Sequence, residues 1–368
     1  MLRSAIVATA LALVAFTTTL AAHPAPFTYL DVRIQHNALD LSLVAHVFDV
    51  AHDVGIDRPE RLFEPAVLTE RGTQFASLLG ERIRFAVDGR PTAASTWTIV
   101  EVLPDRQGIR LTSRVALSAA PGVIDLRAQL FPYDSAHQTF VNFHEDDGVV
   151  SQTILDATNQ ETRHYAGTAG GVWGATRVVV RDGFRHVFGS PEHVVLLAGL
   201  LLLGATYRQG LTIIGAFLAG HAVTLTLATL ALVSPPPRLL DPAFALTVVY
   251  IGTDNLMSAG GKDVRHWMAL AAGAIHGFGL AAAIRSLSLS RPALAWSVGA
   301  VHIGLGAAMF LVAAALLVAI GAVGARAPGG GRRLMVAGSV IVILAGAGWF
   351  IQRVFFPGAT LPGSMARF

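Results

Sequence analysis

The spacing of hydrophobic positions changes once along the chain. From Phe27 to about Tyr165 apolar and polar residues mostly alternate, as in YLDVRI, LDLSLVAHVF, RIRFAVDGRP, GIRLTSRVAL, VIDLRAQLF and TFVNF. Turn signals at His36-Asn37, Asp88-Gly89, Pro121-Gly122 and Asp147-Gly148 separate these runs, and one helical stretch interrupts them near 59–79. Short strands at regular spacing predict an antiparallel β-sandwich. Beyond residue 190 the alternation gives way to apolar runs near 191–207, 211–233, 242–259, 266–286, 293–321 and 333–352. Most reach the roughly 20 residues that a bilayer requires, the first being short, so about six transmembrane helices are expected. Between the two regimes Arg177, Arg181 and Arg185 recur every fourth residue. That gives one basic face and predicts a helix lying on the membrane surface. Ser190-Pro191 then offers an N-cap and a first-turn proline for a new helix.

The N-terminus adds a further segment. MLRSAIVATALALVAFTTTLAAHP combines Arg3, an apolar core and Ala21-Ala22, the pattern of a secretory signal cleaved before His23. The expected organisation is a signal peptide (1–22), an exported β-sandwich (23–165), an interfacial helix and linker (166–190), a transmembrane bundle (191–353) and a C-terminal tail (354–368).

Composition sharpens the chemistry. The chain is 53% hydrophobic and 14% charged, against about 25% charged in an ordinary soluble domain. It has no cysteine, which removes thiolate metal sites, disulfides and cysteine catalysis. A metal would have to use imidazole, carboxylate, amide or backbone ligands, which suits nickel, cobalt, copper(II) or zinc rather than copper(I). The net charge is +3, and every cation but Lys262 is an arginine placed in loops or at span ends. Such arginines face lipid headgroups rather than nucleic acid. With the sandwich outside, Arg208, Lys262, Arg265, Arg326, Arg332 and Arg333 fall on the inner side, and Arg238, Arg285 and Arg291 on the outer. No GxxxxGK[ST], HExxH or GxSxG motif occurs, so neither ATP hydrolysis by a phosphate loop nor a hydrolase is read here.

Ionisable residues within apolar spans are costly and point to function. Here they are His221, Asp254, His276 and His302, and small residues flank each histidine. Small side chains let helices approach and bring such groups together. HVFGSPEH adds His186, Glu192 and His193 at the start of the first span. A kink at Gly189-Ser190-Pro191 would turn His186 toward Glu192 and His193, giving a sulfur-free site for a borderline divalent ion. The helix N-terminus repels a cation, a field that Glu192 would offset.

The exported domain shows no nucleophile–base constellation. HVFDVAHD carries His46, Asp49, His52 and Asp53, read as a strand end and loop, and FHEDDG carries His144 to Asp147 at a hairpin tip. Either cluster could hold a cation; the reading preferred for both is a solvated acidic turn with surface histidines. A mature His23 would offer its α-amine and imidazole as a chelate, with no second ligand identified.

At these motifs the chain resembles the HupE/UreJ family of hydrogenase and urease accessory membrane proteins, in the subgroup with an exported N-terminal domain. The family's first-span signature, a histidine, five residues, an acid and a histidine, matches His186, Glu192 and His193. Its second-span histidine matches His221, its acid-Asn-Leu matches Asp254-Asn255-Leu256, and its HGFG matches His276 to Gly279. His302 departs from the pattern, standing where the family tends to carry a glutamate. The resemblance implies uptake of a divalent transition metal across the bacterial inner membrane, nickel first and cobalt next, with copper and zinc also allowed by the ligand chemistry. The expected partners are the bilayer, the ion itself and an exported metal carrier docking on the sandwich. Two other readings remain open: a non-transporting accessory or sensor protein, and a haem-binding redox protein.

Overall fold

The computed structural model describes residues 27–146, 148–257, 263–326 and 330–356. The expected signal peptide, His23, Asp147, Lys262 and the tail beyond residue 356 lie outside the described residues.

The N-terminal region is built from β1 (Phe27–Ile34), β2 (Ala38–His46), α1 (Val47–Val54), α2 (Pro65–Arg82), β3 (Ile83–Val87), β4 (Arg90–Thr92), β5 (Thr98–Leu103), β6 (Gly108–Ala116), β7 (Val123–Ala128), β8 (Gln138–Glu145), β9 (Gly148–Leu155) and β10 (Glu161–Tyr165). They form two sheets, ordered β5-β6-β2-β1-β8-β9 and β10-β7-β3-β4, and the second gains one more edge strand, described below. The alternation does its expected work. Leu39, Leu41, Leu43 and Ala45 of β2 are buried in one core with Phe85, Ile124 and Leu126 of the other sheet. That core also takes Phe75 and Leu79 from α2.

Two expectations need correction. The sandwich is mixed rather than wholly antiparallel: β1 runs parallel to β8, from Phe27 opposite Gln138 to Arg33 opposite His144. And HVFDVAHD is not a strand end and loop. Val47, Val50, Ala51 and Val54 are all buried, a spacing of three, one and three that belongs to a helix. The His46 ring caps the first turn by accepting from the Phe48 N–H, and Gly55 ends the helix at φ 70°.

The C-terminal region is helical: α3 (Ala169–Gly189), α4 (Pro191–Leu201), α5 (Tyr207–Thr229), α6 (Pro237–Met257), α7 (Arg265–Ser286), α8 (Arg291–Arg326) and α9 (Gly330–Phe355). Of these, α5, α7, α8 and α9 are long and apolar enough to cross a membrane. The eleven-residue α4 is apolar but short, and α6 carries Asp241, Asp254 and Asn255 among its apolar residues.

Glycine sets how closely these rods pair. A Cβ at Gly304 of α8 would overlap the Val180 carbonyl of α3, and one at Gly273 of α7 would overlap the Phe217 carbonyl of α5. Both pairs run parallel, and α6 lies antiparallel to α9 through Gly252 and Gly346. So α3 does not lie flat across the bundle, as its arginines suggested. It packs lengthwise on α8, burying Gly171, Ala175, Val179, Gly183 and Val187 while the four-residue series of arginines faces outward.

The two regions are sewn together. Ser288–Leu289, between α7 and α8, forms β11, which pairs in parallel with His164 and Tyr165 of β10, and the Ser290 N–H donates to the Tyr165 carbonyl.

Candidate functional site

Helix geometry places the histidines. His186 lies in the last turn of α3 and His193 in the first turn of α4, with Ser190 extended between them (φ −117°, ψ 90°). This break folds one ring against the other, with centroids 4.9 Å apart. His193 in turn stands 5.1 Å from His276 of α7. On the neighbouring pair of helices His221 of α5 stands 5.1 Å from His302 of α8, with Nδ1 of the first 3.0 Å from Nε2 of the second. Phe217 separates the two groups, its ring 6.0, 5.7 and 5.9 Å from His193, His276 and His221. Five imidazoles contributed by five helices thus form one row in the bundle interior. His186, His193, His221 and His276 are each no more than 3% exposed.

The contacts fix much of the ring chemistry. Nδ1 of His276 is 2.8 Å from the Ala272 carbonyl, and Nδ1 of His302 is 2.8 Å from the Val298 carbonyl. A carbonyl only accepts, so each Nδ1 carries the proton and each Nε2 is left basic. The His302 Nε2 lone pair is met by the Nδ1–H of His221, which leaves the His221 Nε2 basic as well. Among the described residues no partner meets Nε2 of His221, Nε2 of His276 or either ring nitrogen of His193. An unmet buried polar atom costs about 1–3 kcal/mol, so several together in an apolar interior are a poor structural device. Backbone carbonyls that orient a ring and leave the far nitrogen free are what metal-binding imidazoles require. The row is open rather than caged: among the described residues no three His, Asp or Glu side chains close around one point as a metal site.

The acids behave differently. Glu192 is fully buried, but its Oε1 accepts from the Arg353 guanidinium of α9, and Arg353 also donates to the Asp241 carbonyl at 2.8 Å. Oε2 of Glu192 has no hydrogen-bond partner among the described residues. The sequence showed Arg353 only as a charge closing the last span; its lone position at that end was the available signal. Asp254 lies near the opposite end of α6, half-buried. Its neighbour Asn255 is the anchor there, donating to the Gly199 carbonyl of α4 at 2.7 Å. Beside it the Arg265 guanidinium caps the Leu200 and Gly204 carbonyls at 3.2 and 2.9 Å and holds Asp263, whose carboxyl it draws down to about 2.

The helical region matches the family model described as HupE / UreJ protein over residues 162–353, more than half of the chain. The chain belongs to the HupE/UreJ family. That match begins within β10, so it covers the bundle and its seam with the sandwich while most of the sandwich lies outside it. Among curated proteins, none matches the chain. Family membership together with the apolar helices makes this HupE/UreJ protein a multi-pass membrane protein of a class associated with nickel or cobalt handling.

Proposed function

We propose that this HupE/UreJ protein is a permease for a divalent transition-metal ion, nickel first and cobalt next, in the bacterial inner membrane. In this reading α3 and α4 together make a broken first span, and α5 to α9 supply the other five. The sandwich stands outside, consistent with the inner-side excess of arginine. The ion enters at His186 and His193, moves to His276 and then along His221 and His302, and leaves past Asp254. What carries the reading is the row of five imidazoles, in which Nε2 of His221, Nε2 of His276 and both ring nitrogens of His193 have no hydrogen-bond partner among the described residues. Nitrogen ligands without sulfur favour borderline divalent ions, and adjacent pairs that never close into a cage suit transfer better than storage. Glu192 balances Arg353 at the mouth and is available to the ion through its second oxygen.

The geometry disfavours haem ligation. A bis-imidazole haem needs iron and its macrocycle between two rings, and His221 and His302 are within hydrogen-bonding distance of each other. The test is uptake of nickel by cells carrying His193→Ala or His276→Ala. Each is expected to reduce uptake at least tenfold with unchanged protein in the membrane fraction; uptake at the unsubstituted level in both would overturn the reading.

A further inference from the structure

The sandwich contains a second place where ligand-type side chains face each other without a partner. Asp49, in α1, is completely buried, and His137, just before β8, is 6% exposed. Oδ2 of Asp49 and Nδ1 of His137 stand 3.5 Å apart, yet neither has a hydrogen-bond partner among the described residues. The other atoms of both groups are engaged. Oδ1 of Asp49 accepts from the Tyr133 hydroxyl at 2.6 Å, and Nε2 of His137 is 3.4 Å from Oγ1 of Thr139. When Nε2–H serves Thr139, Nδ1 turns a lone pair toward a carboxylate oxygen. Two acceptors then face each other in the protein interior.

We propose that Asp49 Oδ2 and His137 Nδ1 are two ligands of a divalent-cation site within the sandwich, separate from the histidine row of the bundle. The spacing suits the chemistry. Ligands about 2.0–2.1 Å from a tetrahedral ion lie about 3.3–3.4 Å apart, close to the separation observed. Oxygen plus imidazole nitrogen selects a borderline ion such as zinc or nickel. Tyr133 fixes the carboxylate and Thr139 fixes the ring, as supporting groups do around metal ligands. Of the two other acids nearby, Asp53 is paired with Arg82, and Oδ1 of Asp134 accepts from the Ala136 N–H. Burial pushes the Asp49 carboxyl up to about 6 and holds the His137 imidazole below its ordinary value. Tyr133, whose hydroxyl holds Asp49, is itself exposed and stacks on the exposed His52 ring, with centroids 3.6 Å apart. With two protein ligands and water completing the shell, the ion is exchangeable. This inference does not rest on transport through the bundle.

The experiment is equilibrium dialysis of the detergent-solubilised full chain with zinc(II), in a His193→Ala, His221→Ala background that disables the bundle row. One zinc per chain is expected. Asp49→Asn and His137→Gln are each expected to weaken it at least tenfold while the circular dichroism of the sandwich is retained. Should either substitution unfold the domain, zinc-edge absorption spectroscopy of the background chain decides: one imidazole within an otherwise oxygen shell supports the site. No bound zinc, equal binding by both variants when folded, or a shell with two or more imidazoles would overturn it.

Discussion

Arg353 and Glu192 show what one residue can cost in this bundle. The carboxylate is fully buried, and its one cationic partner among the described residues comes from a helix 161 positions away. Removing one member of a buried pair typically costs about 3–5 kcal/mol, because the remaining charge is left uncompensated. Arg353→Gln is therefore expected to lower thermal stability in detergent sharply, and Arg353→Gln combined with Glu192→Gln to recover most of the loss. Equal melting temperatures for the single and double variants would show that the pair contributes nothing. The imidazoles tolerate change more readily, since a neutral ring leaves no charge behind.

Among the elements, the paired helices depend on particular glycines. Gly304 has no room for a methyl group against α3, whereas Gly299, one and a half turns earlier in α8, faces open space. Overpacking of this kind costs about 1–3 kcal/mol, while alanine at an open helical site gains about 0.5–1 kcal/mol over glycine. Gly304→Ala should lower the melting temperature and Gly299→Ala should hold or raise it; the reverse order would refute the α3–α8 contact. The sequence announced α5, α7, α8 and α9 because a long apolar run has few other uses. It misplaced α3, whose arginines at every fourth position describe one exposed face equally well on a surface helix and on the rim of a bundle. It missed α1 because HVFDVAHD continues the alternation of β2 by two residues, and only burial separates the two periods. His186, His193, His221, His276 and His302 were legible because imidazole is rare in lipid. Their order in space was not, since it depends on which helices pair and in which direction. Nor was the use of Glu192, decided by a guanidinium far along the chain.

For the whole molecule, the seam between sandwich and bundle is the decisive join. It includes two paired residues in β11, the Ser290–Tyr165 hydrogen bond, the buried side chain of Leu289, and the start of α3, where Thr168 donates to the Pro121 carbonyl at 2.8 Å and Gly170 and Gly171 lie against Gly122. Glu145 reinforces it from β8, accepting from the Gly167 N–H at 3.1 Å while it contacts Nε2 of His164 at 2.9 Å. Leu289→Asp should loosen the join without unfolding either part, seen as faster proteolysis in the 166–168 connection with the sandwich fragment resisting further digestion. Unchanged cleavage would show that other contacts hold the two halves together.

The two residues of β11 also sit at the turn joining α7 to α8, the helices that bear His276 and His302. A tilt of the sheet that β10 and β11 share would pull on both rods at their common end.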